Sequence, residues 1–201
     1  MKINMITNLK KNYRFIYIGI IILVILFIIY YMYDYIKDMI NKKPIIAIAF
    51  FDNPKIKGTV HFTEDFYNNQ VIIDIDLVST FKNSNHGFHV HQAGDLSDGC
   101  ISACAHFNPY NKKHGGPDSV ERHVGDLGNI YFDSLGKARY QQTDSMIKLR
   151  GYKSNIIGRM LIIHEDEDDL GKGKNKESLI TGNAGARVTC SVIGYSKKMF
   201  K

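Results

Sequence analysis

Six of the chain's eight histidines fall between His86 and His123, in a stretch otherwise rich in glycine, asparagine and proline. They stand in His86-Gly87-Phe88-His89-Val90-His91, in Ala105-His106-Phe107-Asn108-Pro109, in His114-Gly115-Gly116-Pro117 and in Glu121-Arg122-His123-Val124-Gly125-Asp126-Leu127-Gly128-Asn129. Another, His164, follows Met160-Leu161-Ile162-Ile163. Hydrophobic packing alone asks for no such pattern. Residues two apart in a strand face the same way, so a strand at 86–91 points His89 and His91 together. Imidazoles and a carboxylate at these spacings are donors for two adjacent metal sites. Imidazole suits copper and zinc, and a carboxylate can complete a zinc tetrahedron. Any fold this chain adopts has to gather residues that lie far apart in sequence around one point.

The rest of the downstream chain reads as short strands. Strand signals cover residues 45–50, 57–63, 71–77, 86–91, 129–132, 137–141, 145–149, 159–164 and 186–194. Turn clusters such as Asp52-Asn53-Pro54 and Asp133-Ser134-Leu135-Gly136 separate them. Two polar, glycine-rich loops interrupt the series at 92–128 and 165–185, and loops of that length in a compact domain are usually functional. No helical period follows residue 44, and no internal repeat is visible. Short strands at this spacing predict an all-β sandwich or barrel over residues 45–201.

Residues 15–33 are a separate matter. The run is uncharged and dominated by Ile, Leu, Val, Phe and Tyr. As a helix it spans roughly 28 Å, close to a bilayer core. Tyr13, Tyr17, Tyr30, Tyr31, Tyr33 and Tyr35 sit at its ends, as interfacial aromatics do. The run is longer than the apolar core of a cleaved signal peptide and lacks a small-residue cleavage site. The sequence therefore predicts a basic segment at 1–14, a transmembrane signal anchor at 15–33 and a linker at 34–44. Lys2, Lys10, Lys11 and Arg14 precede the span, against Lys37, Lys42 and Lys43 after it. That small excess favours a cytoplasmic N-terminus, with the β domain luminal, extracellular or on a virion or host membrane surface.

Charge divides the same way. The whole chain carries +6, and residues 1–44 carry seven Lys/Arg against two Asp, so +5 belongs to the anchor region and +1 to the rest. The domain has no basic stripe interleaved with aromatics, which argues against nucleic acid as a partner. Three cysteines are present, Cys100, Cys104 and Cys190. A Cys100–Cys190 staple and three reduced thiols both fit the spacing.

Taken together, residues 86–130, Gly158-Arg159, His164, Asp168-Asp169-Leu170-Gly171-Lys172-Gly173 and Thr181-Gly182-Asn183-Ala184-Gly185-Ala186-Arg187 resemble the copper/zinc superoxide dismutase family. The resemblance covers roughly residues 45–195. It implies an immunoglobulin-like Greek-key β-sandwich or barrel, here preceded by a transmembrane helix. It implies one copper on His89, His91, His106 and His164. It implies one zinc on His106, His114, His123 and Asp126, with His106 shared. Asp168 would link His89 to His114, Cys100 and Cys190 would form a disulfide, and His86 would sit beside the site in a structural role. Arg187 would hold the substrate anion above copper. The implied reaction turns two superoxide anions into dioxygen and hydrogen peroxide. Copper carries the electron because zinc has no redox couple, and His106 carries a proton. A homodimer is expected by the same resemblance.

Two other readings compete: a tethered copper-buffering module, and a structural protein that keeps the fold without the activity. Retention of every ligand and of Arg187 argues against both, and the lack of a Cys-x-x-Cys motif argues further against the copper module. The chain also departs from the family. Cys104 and Ala105 stand where glycine and proline are common, and Lys174, Lys176 and Ile180 change the charge of the second loop. The alternatives for Cys104 are to stay free, to compete for Cys190 or to bind metal adventitiously.

Overall fold

The computed structural model describes residues 2–41, 43–65 and 67–200. The chain divides into two compact units, Met1–Lys43 and Pro44–Lys201. The first is a single helix, α1 (Lys2–Asn41). Its stretch Ile16–Lys37 has a mean hydropathy of 2.6 and none of its apolar window is buried inside the chain. It is apolar all round, with no polar face for water, and is long enough to cross a bilayer. The helix also takes in residues 34–41, where the sequence suggests a linker.

Among the described residues the second unit holds nine strands: β1 (Ile46–Asp52), β2 (Ile56–Asp65), β3 (Gln70–Ser79), β4 (Ser84–His91), β5 (Asp126–Phe132), β6 (Lys137–Asp144), β7 (Met160–His164), β8 (Arg187–Val192) and β9 (Gly194–Tyr195). One sheet has the order β6-β3-β2-β1-β9, the other β5-β4-β7-β8. All the pairings are antiparallel. The chain changes sheets between β3 and β4, between β5 and β6, between β6 and β7 and again between β8 and β9, giving the predicted all-β sandwich.

The alternation of β3 shows why the sheets stack. Val71, Ile73, Ile75 and Leu77 are buried, while Asp74 and Asp76 face out. Phe88, Val90, Ile130, Phe132, Leu161 and Ile163 join them in one core. Each large side chain so buried contributes about 1.5–3 kcal/mol relative to an exposed one.

Two expectations are corrected. Residues 145–149 form no strand; their segment has a single bridge, Lys148↔Asn155. Ile147 and Leu149 are nonetheless buried in the core, so the apolar run reports burial rather than strand pairing. The second long loop also contains a helical turn, α2 (Ser178–Thr181), where no helix is expected. It is too short to leave a period in the sequence. Gly182 ends it in the left-handed conformation, at φ +66°.

Candidate metal centre

Strand alternation in β4 sends Phe88 and Val90 into the core, and therefore turns His89 and His91 to the opposite face. On β7, Leu161 and Ile163 enter the same core. Met160, Ile162 and His164 take the other side, where Met160 and Ile162 pack with Ala103 and Cys190. β4 and β7 are neighbours, with His89 opposite Ile162 and His91 opposite Met160. The three histidines thus share one outer face of the four-stranded sheet. Both long loops cover that face, which is why the imidazoles are buried.

The first loop returns along β4. Gln92 N–H donates to the Ala105 carbonyl at 2.9 Å, and Phe107 N–H to the Val90 carbonyl at 2.9 Å. This pairing lays His106 against His91, and the two form an isolated bridge. The loops are tied together where His114 N–H donates to the Leu179 carbonyl at 2.9 Å. Gly87 leaves space for this closure. A Cβ there would lie 2.6 Å from the Ala184 Cβ and 3.0 Å from the His89 Cε1.

Donor atoms of His89, His91, His106 and His164 lie within 4.8 Å of one another, as do those of His106, His114, His123 and Asp126. His106 belongs to both groups. Its ring centroid is 4.2 Å from that of His89 and 4.9 Å from His91, and 5.3 Å from His114 and 5.6 Å from His123.

In the first group each ring has one nitrogen spoken for. His89 Nε2 lies 2.8 Å from Asp168 Oδ2, His91 Nδ1 2.8 Å from the Cys104 carbonyl, and His164 Nδ1 3.2 Å from the Gly185 carbonyl. Each partner accepts only, so those nitrogens carry the protons and the opposite ones present lone pairs. His91 Nε2 and His164 Nε2 accordingly face each other at 3.3 Å. His89 Nδ1 is buried with no hydrogen-bond partner.

In the second group the Nδ1 atoms of His106, His114 and His123 converge on one oxygen, Asp126 Oδ1, at 2.9, 3.0 and 3.1 Å. His114 Nδ1 reaches that distance without hydrogen-bond geometry and is itself an orphaned buried donor. Asp126 Oδ2 is held by Gly115 N–H at 3.1 Å and His123 N–H at 2.8 Å. Buried nitrogens that lack a partner in this way cost stability unless a metal takes them. Three imidazoles with a carboxylate suit zinc, and four imidazoles suit copper. The residues therefore fit both ions.

Asp168 spans the groups. Its Oδ2 meets His89 Nε2 and its Oδ1 meets His114 Nε2, each at 2.8 Å. Asn129 fixes Asp168 in turn: Asp168 N–H donates to Asn129 Oδ1 at 2.8 Å and Asn129 Nδ2 to the Asp168 carbonyl at 2.9 Å.

Protonation follows from this packing. Burial pushes the pKa of His89 down to about 3 and that of His164 to about 4, with the His106 ring adding to both. Burial also lowers His91 and His106. For His114, burial pulls downward most strongly, but the carboxylates of Asp126 and Asp168 together overcome it and hold the ring up at about 9. Burial works against ionisation of Asp168 and Asp126 as well. Hydrogen bonds from His114 and His89 nevertheless bring Asp168 to about 2, and three histidines hold Asp126 far below the usual carboxylate range.

A cavity of about 370 Å³ opens onto the first group, lined by His91, His106, His164, Glu177, Ile180 and Arg187 among others. Arg187 lies opposite His164 across β7 and β8. Its Nη1 donates to the carbonyls of Cys100 at 2.5 Å and Ile101 at 2.9 Å, and its Nη2 to the Cys104 carbonyl. Cys100 and Cys190 are disulfide-bonded, and Cys104 is free and exposed. His86, buried outside both groups, has its Nδ1 on the His164 carbonyl at 3.0 Å.

All of the site residues expected from sequence are brought together here. Asn129 and Arg122 carry no role in the sequence motifs. Arg122 is buried, donates to the Asp126 carbonyl at 2.8 Å and pairs with Asp144, fastening the first loop to the end of β6. Its signal was its place beside His123. Nothing local to Asn129 announces a partner 39 residues away.

A family model described as copper/zinc superoxide dismutase matches residues 56–193. The chain is 60% identical over 158 residues to superoxide dismutase [Cu-Zn] of Paramecium bursaria Chlorella virus 1, covering 79% of this chain and 82% of that one. It is 51% identical over 142 residues to superoxide dismutase [Cu-Zn] of Yarrowia lipolytica, covering 71% and 92%. It is also 49% identical over 154 residues to extracellular superoxide dismutase [Cu-Zn] of Brugia pahangi, covering 75% of each. The crystal structure of the clock protein EA4 superposes with a TM-score of 0.73 at 43% identity, covering 77% of this chain and 97% of that one.

Proposed function

The chain belongs to the copper/zinc superoxide dismutase family, and from that premise we propose a role for each part of its site. The activity is dismutation of superoxide to dioxygen and hydrogen peroxide. His89, His91, His106 and His164 hold copper; His106, His114, His123 and Asp126 hold zinc. The observation that carries this assignment is the membership of His106 in both donor groups.

Bound copper supplies the one-electron couple that zinc lacks. The protein does the rest. Arg187, a permanent cation on the cavity wall, attracts and orients the substrate anion. The carbonyls of Cys100, Ile101 and Cys104 fix its guanidinium, so little side-chain freedom is lost when the anion arrives. His106 keeps its Nδ1 on the zinc side beside Asp126, which leaves Nε2 to hold a proton between the two half-reactions and release it to the product. Asp168 locks the tautomers of His89 and His114, so the two sites keep a fixed relation.

Helix α1 anchors the enzyme in a membrane through residues 15–33, with the N-terminus cytoplasmic and the catalytic domain on the far side. The domain pairs as a homodimer, as is typical of the family. The test of the metal assignment is His164→Ala in the full-length protein. Zinc content and folded circular dichroism should persist while copper content and dismutase activity fall to background. Undiminished activity would remove His164 from the copper set.

A further inference from the structure

A second cavity, about 360 Å³, shares Ala105 and His106 with the first but has a different cation on its wall. Gln92, Phe107, Asn108, Asn111 and Arg159 line it. Arg159 stacks on Phe107, with its guanidinium carbon 3.5 Å from the ring centroid. Its Nε donates to the Asn155 carbonyl at 2.9 Å and its Nη1 to the Gln92 carbonyl at 2.5 Å. These bonds use two of five donors, and both acceptors are neutral. Among the described residues Arg159 has no ion pair, and its Nη2 has no hydrogen-bond partner. Residue 92, whose main chain it grips, is a glutamine and supplies no countercharge.

The surroundings share that imbalance. Neither residues 99–117 nor residues 145–164 contain an Asp or Glu; they carry Lys112, Lys113, Lys148, Lys153 and Arg159, besides Arg150, which is paired with Glu64 at 2.9 Å. The two segments are joined where Tyr110 Oη meets Ser154 Oγ at 3.1 Å, with Lys153 Nζ 4.9 Å from the Tyr110 ring. A half-buried guanidinium without a countercharge, on the wall of a cavity lined by side-chain amides, is a receptor for an anion. Asn108 and Asn111 add neutral donors at the same wall.

We propose that this cavity binds a small free oxyanion of the phosphate class, held by the Arg159 fork and the two asparagines. The site is separate from the substrate cavity, since Arg187 lines one and Arg159 the other. Arg159 thus acts both as a clamp on residue 92 and as an anion receptor.

The test is a titration of the ¹⁵N-labelled full-length protein in detergent with inorganic phosphate. It should be done at constant ionic strength, in wild type, Asn111→Asp and Arg159→Gln. The expected result is saturable shifts at the amides of Asn108, Asn111 and Arg159. Asn111→Asp, which leaves the clamp intact and adds a carboxylate, should weaken binding by about tenfold or more through like-charge repulsion. Arg159→Gln should abolish the shifts. Shifts that rise linearly without saturating, that are unchanged in Asn111→Asp, or that cluster around Arg187 and Gly185 would overturn the proposal.

Discussion

The carbonyl of Cys100 accepts a hydrogen bond from Arg187 Nη1 at 2.5 Å, while the sulfur of Cys100 is bonded to Cys190, three residues beyond Arg187 on β8. Strand β8 therefore grips the same loop twice, once covalently and once through the cation on the cavity wall. The disulfide closes a separation of 90 residues. Cutting it in Cys190→Ser should lower stability by about 2–5 kcal/mol. It should also reduce kcat/KM severalfold under conditions where the variant is still folded, because the loop carbonyls that hold Arg187 are released. Denaturant unfolding and steady-state rates at varied superoxide check this. Unchanged kcat/KM in the folded variant would separate the disulfide from Arg187.

Gly182 lies against the carboxylate that joins the two donor groups. A Cβ there would collide with Asp168 Oδ1 and lie 2.5 Å from His114 Nε2, on a backbone at φ +66°. Gly182→Ala should cost about 1–3 kcal/mol in backbone strain. Displacing Asp168 should lower affinity for both metals about 10–100-fold, as loss of a supporting hydrogen bond to a metal-binding histidine does. Competition with graded chelators, run for copper and for zinc, measures it. Loss at one metal alone would mean that Asp168 does not act on both.

In the metal-free protein, His89 and His164 have folded pKa values near 3 and 4, below the unfolded value of about 6.5. Between those limits the unfolded chain binds more protons, so these groups stabilise the fold above about pH 6.5 and lose that effect as pH falls towards 4. His114 has the opposite sign. Its folded value of about 9 gives stability that is complete below about 6.5 and is lost as pH rises through 9. The metal-free protein should therefore be most stable near pH 6.5, with denaturation midpoints falling on both sides. Stability still climbing from pH 7 to 9 would contradict the account.

Much of the site was legible because its residues come in short strings. The spacing of His89 and His91 needs only strand alternation, and His106, His114, His123 and Asp126 lie in motifs the family shares. The partners that hold them were not legible. Asn129 supports Asp168 across 39 residues, a relation created when the second long loop folds onto β5. The same limit explains residues 145–149. Ile147 and Leu149 look like strand residues because both are buried, and burial without a neighbouring strand leaves the same apolar pattern. α2 was hidden by its four-residue length.

The central claim is that two metals share His106 and that copper does the redox work. Metal content and superoxide dismutation measured on one preparation of the full-length protein, before and after selective copper removal, test it most directly. The account predicts about one copper and one zinc per chain, as one set of donors exists for each. Activity should vanish with copper and return on its restoration while zinc stays bound. Activity that survives copper removal, or a protein that takes up zinc but no copper at His89, His91 and His164, would contradict it.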